Sequence, residues 1–299
     1  MDKHRNNYLK IFILSNLYYF CKKIIALKFS PQIKLYRKLR YRKGHGIHSP
    51  FIYNLITKVI EEKTPYYVFD DIENFRKKLL SLENPFNSIT VTETQSKNYG
   101  ALLFRLVNFF KCRSVLQIGS STGLMSLYLA LPLQKSCICY ALEERTGLLR
   151  NVRSFAENYA LKNYHPVEGA YPECLCQLKQ KISSFDFIFI NLQGDSEKIR
   201  ETLLLIETFI TPDTVMVIDK IRQDKAMKKV WKEIKNRPDV RLTIDLLSLG
   251  LVFFNTRLHK QHYKNYFDDG KKQNLYEKRR RRLYFLSWRK KGIQSGSSH

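Results

Sequence analysis

Between residues 101 and 255, short and continuously apolar runs alternate along the chain with segments of helical periodicity. A strand that is buried on both faces of a parallel sheet produces such a run. Regular alternation of strand and helix therefore predicts an α/β sandwich with a doubly wound sheet. The predicted strands are Ser114–Ile118, Ser136–Leu142, Phe185–Asn191 and Thr214–Asp219, with a shorter one near His165–Val167, and the predicted helices are 123–131, 146–161, 171–181, 197–209 and 224–235.

The end of this region has a different pattern. Val240–Leu246 and Leu251–Asn255 are two predicted strands, separated only by a short turn that contains Gly250. A parallel return needs a crossover connection of a dozen or more residues, so two strands this close must form an antiparallel hairpin. The sequence thus predicts a Rossmann-like, mostly parallel sheet of seven strands that closes with an antiparallel hairpin. A helical extension precedes it.

The first predicted strand leads into a turn with two glycines and then into a helix. Gly119 permits a sharp turn and the close approach of a ligand, and Gly123 lets the helix begin beside the strand. Ligands of open α/β sheets bind at the carboxyl ends of the strands, where this turn lies. The segment Ser114–Glu143 therefore predicts a binding site for a nucleotide-containing cofactor.

The second predicted strand ends at Glu143, twenty residues after Gly123. A carboxylate in this position can accept hydrogen bonds from both hydroxyls of a ribose, although a solvated acid at the start of a helix is the alternative. No Gly-Lys-Ser/Thr sequence follows the turn, so it is not a P-loop. The spacing Gly119-x-x-x-Gly123 is also looser than the G-x-G-x-x-G of nicotinamide cofactor sites, which favours a nucleoside without a pyrophosphate.

At these residues the chain resembles class I S-adenosylmethionine-dependent methyltransferases, over residues 101–255. More narrowly, it is similar to a bacterial group of O-methyltransferase-like proteins that carry a His-Gly-Ile-His-Ser-Pro-Phe element ahead of the domain, here His45–Phe51. The resemblance implies S-adenosylmethionine as the cofactor. It places Gly119, Ser121 and Gly123 along the methionine and ribose, Glu143 on the ribose hydroxyls, Gly169 and Ala170 beside the adenine, and Asn191 and Asp219 beside the methyl donor and substrate.

Four residues depart from the pattern of that family: Gln117, Ala170 and Asn191 stand where it usually has acids, and Lys220 replaces an acid or Asn. In metal-dependent members, the acids that end the fourth and fifth strands hold a divalent cation, which prefers several oxygen ligands. Lys220 would repel such a cation. We therefore expect no bound metal.

Methyl transfer requires little of the protein, because the sulfonium donor is already activated and alignment supplies much of the rate. A hydroxyl acceptor also needs a base. Asp219, His45 and His48 are the candidates, and no spacing rule selects among them. The two histidines precede a helix start formed by Ser49 and Pro50, so a structural loop and metal ligation are alternatives.

The positive charge of the chain is concentrated at its two ends. The net charge is +25, and residues 1–50 carry 12 Lys and Arg against one acid, while residues 256–299 carry 13 against three. Such arms attract nucleic acid or anionic lipid. In Lys278–Lys291, runs of cations flank large aromatic side chains, which allows RNA binding, membrane binding or a solvated tail. The apolar, basic segment Tyr8–Phe29 favours the membrane surface, unless it packs as a helix on the domain.

The sequence predicts four zones: a basic, aromatic-rich N-terminal extension (1–43), a helical lead-in (44–100), the cofactor-binding domain (101–255) and a basic C-terminal tail (256–299). Ile11–Phe20 is about ten residues long, too short to span a bilayer, and no cleavage site follows it. The six cysteines form no CxxC pair, which favours core thiols over zinc. We expect a cytoplasmic protein, with the membrane surface as the second location.

The first functional hypothesis is an S-adenosylmethionine-dependent methyltransferase that acts without metal on a hydroxyl of a small molecule, or of a glycan or lipid precursor. Its rival is a catalytically degenerate cofactor-binding or interaction module, which the four departures favour. An RNA methyltransferase is the third hypothesis, favoured only by charge. Asn191-Leu192-Gln193-Gly194 is not the Asn/Asp-Pro-Pro-Tyr motif of base methylation.

Overall fold

The apolar runs of the sequence form the inner strands of one sheet. The protein is described by a computed structural model, which covers residues 31–41, 44–81, 96–134, 136–159, 161–192, 194 and 196–269. Its strands are β1 (Ser114–Ile118), β2 (Ile138–Glu143), β3 (Tyr164–Glu168), β4 (Phe187–Ile190), β5 (Val215–Asp219), β6 (Leu242–Asp245), β7 (Leu249–Phe253) and β8 (Gln261–Lys264). They lie in the order β3-β2-β1-β4-β5-β7-β6-β8. Only β7 runs antiparallel to its neighbours, β5 and β6.

Helices connect the strands and precede them. The Ser49 side chain caps the helix that begins at Pro50, as predicted. This helix continues into a π-helical turn at Ile56–Ile60. The α-helices are α1 (Pro31–Arg40), α2 (Pro50–Leu55), α3 (Val68–Ser81), α4 (Lys97–Phe109), α5 (Leu124–Ala130), α6 (Arg150–Asn158), α7 (Tyr171–Lys179), α8 (Ser196–Glu207) and α9 (Lys225–Asn236).

The sheet has a separate apolar core on each face. Helices α2 to α6 cover one face, where they meet strand residues such as Val115 and Phe189. Helices α7 to α9 cover the other face, where they meet Leu116 and Ile188. Successive residues of one strand point to opposite faces, so a strand between two cores must be apolar throughout. The predicted doubly wound α/β fold is confirmed.

The closing hairpin is formed by β6 and β7, but Gly250 does not lie in its turn. Gly250 is a residue of β7, paired with Asp245 and Ile218, and the turn is 246–248, where Leu247 has a φ of 80°. A Cβ atom at position 250 would lie 2.4 Å from Cη2 of Trp231. The placement of Gly250 in the turn was wrong, because this glycine serves the close packing of an indole rather than a change of chain direction.

An eighth strand, β8, pairs in parallel with β6 and follows the seven that the sequence predicts. It lies in residues predicted to belong to the basic tail. Three of its four residues are exposed, so it has no apolar pattern to reveal it. After β8 the chain crosses the carboxyl edge of the sheet, where the rings of Phe267 and Tyr99 are 6.4 Å apart.

The segments Tyr8–Phe29 and Lys278–Lys291, as well as Cys21, lie outside the described residues. Among the described residues, no helix has both the length and the apolar composition needed to cross a membrane.

Candidate active site at the carboxyl edge of the sheet

The chain reverses its direction of winding at β1. Strand β1 lies between β2, which follows it in sequence, and β4, so the connections that leave the carboxyl ends of these strands diverge and open a crevice. Strands β1, β2, β4 and β5 are parallel, and their carboxyl ends therefore share one edge. The residues at these ends are Gly119, Glu143, Asn191 and Asp219, so the fold brings together four of the predicted site residues.

The turn after β1 passes very close to the end of β4. Gly119 has a φ of 75°, and a Cβ atom on it would lie 2.3 Å from the backbone oxygen of Asn191. The Asn191 N–H in turn donates to the backbone oxygen of Ile118 at 2.9 Å, so the two strand ends are joined at this point. Only glycine fits here, and its bare backbone forms one wall of the crevice.

The rest of the turn is held by the neighbouring strand and helix. Ser121 is buried, has a φ of 54°, and donates its N–H to Oε2 of Glu143. Gly123 also has a positive φ, 75°, and immediately precedes α5. A Cβ at Gly123 would lie 2.4 Å from Cγ1 of Val152, so this glycine lets α5 pack closely against α6.

Glu143 is almost fully buried, with 1% of its surface exposed, which excludes the alternative of a solvated acid. Its Oε2 accepts the Ser121 N–H, and its Oε1 accepts hydrogen bonds from Arg145 N at 3.2 Å and Arg145 Nε at 2.7 Å. The Arg145 side chain is 43% exposed. A buried carboxylate is thus fixed beside the glycine turn, with a surface arginine as its outer partner.

The end of β3 contributes Gly169, Ala170 and an aromatic residue that the sequence did not single out. The Gly169 N–H donates to the backbone oxygen of Glu143 at 3.0 Å, and Ala170 is exposed. Tyr171, the first residue of α7, has its hydroxyl 3.6 Å from the position of a Cβ on Gly119. Burial, together with the charges of Glu143 and Glu144, raises the pKa of Tyr171. Its phenol therefore remains a hydrogen-bond donor at neutral pH.

Asp219, at the end of β5, is held by a tyrosine from α4. Its Oδ1 accepts hydrogen bonds from the Tyr99 hydroxyl at 2.8 Å and from the Lys220 N–H at 2.8 Å, and 1% of its surface is exposed. Burial and the charge of Asp219 raise the pKa of Tyr99 well above its ordinary value, so the phenol keeps its proton. Tyr99 lies 120 positions before Asp219, and no local pattern indicates this contact.

Lys220 links the ends of β5 and β4. Its Nζ donates to Oδ1 of Asn191 at 3.0 Å, and Nδ2 of Asn191 donates to the backbone oxygen of Gly119 at 3.2 Å. The amide oxygen of Asn191 therefore faces an ammonium group. In the described part of the chain, no three His, Cys, Asp or Glu side chains lie close enough together to hold a metal ion.

Gln117 is buried in β1, two residues before Gly119, with 1% of its surface exposed. Neither its carboxamide nitrogen nor its oxygen has a hydrogen-bond partner among the residues that the structure describes. A buried polar group without a partner costs about 1–3 kcal/mol, so such groups usually contact a water or a ligand.

The described hydrogen bonds do not connect the two histidines with this site. His45 and His48 are exposed, and Nδ1 of His45 lies 3.4 Å from Nη1 of Arg40. Phe51, three residues after His48, packs against Phe253 with a centroid distance of 5.7 Å, at the opposite, amino edge of the sheet. Their assignment as bases stays a prediction.

A cleft of about 810 Å³ at the amino edge is a second concave surface, lined by Phe51, Phe110, Phe253 and Asp186 among others. The Asp186 carboxylate accepts the backbone N–H groups of Arg113 and Ser114, so it holds the start of β1. Ligands of open α/β sheets bind at the carboxyl edge.

Comparisons with known proteins agree with this fold. Residues 116–221, about a third of the 299, match the family model of a methyltransferase domain. A protein of Sulfolobus acidocaldarius, described as a probable cobalt-precorrin-6B C(15)-methyltransferase (decarboxylating), is 27% identical over 113 residues, which are 38% of this chain and 56% of that protein. The chain thus spans about half the length of this relative.

Solved methyltransferase structures share the fold at low identity. An O-methyltransferase from Bacillus cereus in complex with SAH has a TM-score of 0.50 and 18% identity, over 67% of this chain and 96% of that one. TomG, an O-methyltransferase of Streptomyces achromogenes in complex with SAM, has a TM-score of 0.51 and 16% identity, over 68% of this chain and 94% of that one. The SAH-bound methyltransferase PaMTH1 of Podospora anserina has a TM-score of 0.52 and 12% identity, over 69% of this chain and 96% of that one. These structures share the Rossmann-like fold of this chain, and residues 116–221 match a methyltransferase domain.

Proposed function

We propose that the protein binds S-adenosylmethionine at the carboxyl edge of its sheet and transfers the methyl group, without a metal ion, to a hydroxyl of a small molecule or of a glycan or lipid precursor. The observation that carries the proposal is the buried carboxylate of Glu143, fixed at the end of β2 and hydrogen-bonded to the glycine turn after β1. The methyltransferase family match and the SAM and SAH complexes of the structural neighbours support it.

The residues at the edge fit this cofactor. Glu143 would hold the ribose hydroxyls, and Gly169 and Ala170 would border the adenine. The bare backbone of Gly119 lets the ends of β1 and β4 approach closely, because any side chain there would collide with the Asn191 backbone oxygen. The carboxamide of Gln117, which has no hydrogen-bond partner among the residues that the structure covers, would contact the cofactor or a water bound to it.

Asp219 would act as the base that accepts the proton of the acceptor hydroxyl. The bound sulfonium supplies an activated methyl group, so the protein has to align the acceptor and take up its proton. Asp219 is a carboxylate at the end of β5, and Tyr99 and the Lys220 N–H keep it oriented. His45 and His48 are secondary candidates, because they are exposed and have no hydrogen bond to Asp219 among the described contacts.

Lys220 supports a mechanism without metal. Its ammonium donates to Oδ1 of Asn191, the oxygen that a divalent cation would otherwise bind. The positive charge of Lys220 would repel a cation at that oxygen. The same contact favours the rival hypothesis of a cofactor-binding module without catalysis, because it occupies the amide beside the predicted methyl donor.

Calorimetry with S-adenosylmethionine and S-adenosylhomocysteine tests the binding part of the proposal. We expect one site per chain for both ligands, unchanged by a chelator, and no binding of NAD, because the glycine turn lacks the dinucleotide spacing. If neither nucleoside binds at a ligand concentration of about 1 mM, the proposal is wrong.

Methyl transfer is tested with labelled S-adenosylmethionine and separated small-molecule, lipid and RNA fractions. We expect label in the small-molecule or lipid fraction. Asp219→Asn should lower transfer by about 10²–10⁴-fold while S-adenosylhomocysteine still binds, because it removes a base and keeps the shape. Tyr99→Phe is the matched control: it removes one of the hydrogen bonds that orient Asp219 and keeps the carboxylate, so it should lower transfer less. Label in RNA alone would favour an RNA methyltransferase. Cofactor binding without transfer would favour a cofactor-binding module without catalysis.

A further inference from the structure

Helix α1 presents its apolar side chains outward. Leu39 is 69% exposed, Tyr36 60% and Leu35 58%, whereas Arg37 is only 7% exposed. At about 100° per residue, Leu35, Leu39 and Tyr36 form one continuous arc of the helix, opposite Arg37. We call these three residues the outer arc. A surface helix normally turns its apolar stripe toward the core, so α1 is inverted.

A buried arginine attaches this helix to the domain. Nη1 of Arg37 donates to the Asp245 carboxylate at 2.9 Å, to the Asp245 backbone oxygen at 3.1 Å and to the Asn265 backbone oxygen at 3.2 Å, while Arg222 donates to the other carboxylate oxygen. Burial raises the pKa of Asp245, but the Arg37 hydrogen bond and the charges of Arg37 and Arg222 outweigh it, so the pKa is lowered. The carboxylate is therefore ionised, and a polar contact fixes α1 without using its apolar residues.

The attachment places α1 at the carboxyl edge of the sheet. Asp245 ends β6, which runs in the same direction as β5, because both are antiparallel to β7. Arg222 belongs to the loop that follows Asp219, at the end of β5. The outer arc is thus carried at the same edge as the candidate active site.

Cations border the outer arc on both sides. On the helical wheel, Lys38 lies next to Leu35 and Arg40 lies next to Tyr36. Both cations are exposed, and α1 contains no acidic residue. Apolar side chains flanked by Lys and Arg are the composition of helices that lie in the headgroup region of a bilayer, where the cations reach lipid phosphates.

We propose that α1 docks on an anionic membrane surface, with Leu35, Tyr36 and Leu39 in the interface and Lys38 and Arg40 on lipid phosphates. The carboxyl edge of the sheet then faces the bilayer. The exposed apolar side chains of the outer arc favour lipid over nucleic acid as the anionic partner, and residues 1–50 add 12 cations against one acid. This docking does not depend on methyl transfer.

Tryptophan fluorescence of the full chain reports the contact at one position. With vesicles of phosphatidylcholine that contain roughly one third phosphatidylglycerol, Leu39→Trp should shift its emission to shorter wavelength and be quenched by brominated lipid. Leu204→Trp, in α8, is the matched control, because Leu204 is 63% exposed. It should respond no more than the wild-type protein with its own two tryptophans. Equal responses of the two variants, or none in Leu39→Trp, would overturn the proposal.

Vesicle sedimentation at high salt separates insertion from attraction by the basic arms. Charge attraction is screened at roughly 0.5 M salt, whereas apolar insertion persists. We expect the triple variant Leu35→Ser, Tyr36→Ser, Leu39→Ser to bind about tenfold more weakly than wild type under these conditions, and Leu204→Ser to bind like wild type. If Leu39→Trp is already shielded from acrylamide without vesicles, another segment or a second copy covers the arc, and the proposal is wrong.

Discussion

Gly119→Ala abolishes the binding of S-adenosylmethionine and S-adenosylhomocysteine. The new Cβ would lie 2.3 Å from the Asn191 backbone oxygen, and the hydrogen bond from Asn191 to Ile118 keeps that oxygen from moving away. A φ of 75° adds about 1–3 kcal/mol of backbone strain for any residue with a Cβ. The two strand ends must separate, and the wall of the crevice is lost. Calorimetry measures the binding, and thermal unfolding measures the strain.

Gly46→Ala is the matched control, because Gly46 has a φ of 76° and open space around it. It should show the same kind of backbone strain with unchanged binding. If Gly119→Ala fails to fold, Gln117→Met tests the same site. The Gln117 carboxamide has no hydrogen-bond partner among the described residues, so replacing it by a thioether of similar shape should leave the stability of the protein equal or higher, yet weaken cofactor binding. Wild-type affinity in both Gly119→Ala and Gln117→Met would disprove the placement of the cofactor.

Glu143→Ala weakens S-adenosylhomocysteine binding by about 100-fold or more. Two hydrogen bonds from ribose hydroxyls to a carboxylate are worth about 1.5–3 kcal/mol each, and each 1.4 kcal/mol is tenfold in affinity. The substitution also leaves the buried N–H of Ser121 without this acceptor, so some stability is lost as well. Glu143→Gln keeps an acceptor for Ser121 and should therefore be more stable than Glu143→Ala, with binding still weakened. Calorimetry and chemical unfolding measure the two effects separately.

Arg145→Ala is the informative control for Glu143. In the structure, Arg145 donates twice to Oε1 of Glu143, so a ribose must displace part of this contact. An ion pair with one exposed partner is worth about 0–1 kcal/mol, so removing the side chain should leave binding equal or up to about fivefold tighter. A large loss of binding in Arg145→Ala would mean that the arginine, rather than the carboxylate, holds the ligand.

The sequence predicts that four candidate residues share one edge of the sheet, because parallel strands place their carboxyl ends together, and the structure has this arrangement. Gly119, Glu143, Asn191 and Asp219 could be assigned to that edge from strand ends alone. Contacts between segments that are distant in sequence could not be predicted in this way. Tyr99 reaches Asp219 across 120 positions, and a tyrosine in an apolar helix pattern indicates only burial.

Two errors of the fold prediction have physical causes. Gly250 was placed in a turn because glycine favours turns, but glycine also occurs where another side chain packs directly on the backbone, as Trp231 does here. Strand β8 was missed because an exposed edge strand needs no apolar residues; its order comes from backbone hydrogen bonding to β6.

The segment that follows β8 has an electrostatic consequence. The Asp269 and Asp268 backbone oxygens accept hydrogen bonds from Ser96 and Asn98, at the start of α4, which also carries Tyr99 to Asp219. Residue 269 is thus tied to the carboxyl edge, and so is α1. Residues 1–30 hold six cations and one acid, and residues 270–299 hold ten and one. Both charged segments thus join the described part of the chain at elements held at this edge, and we expect an anionic surface to attract this edge more strongly than the amino edge.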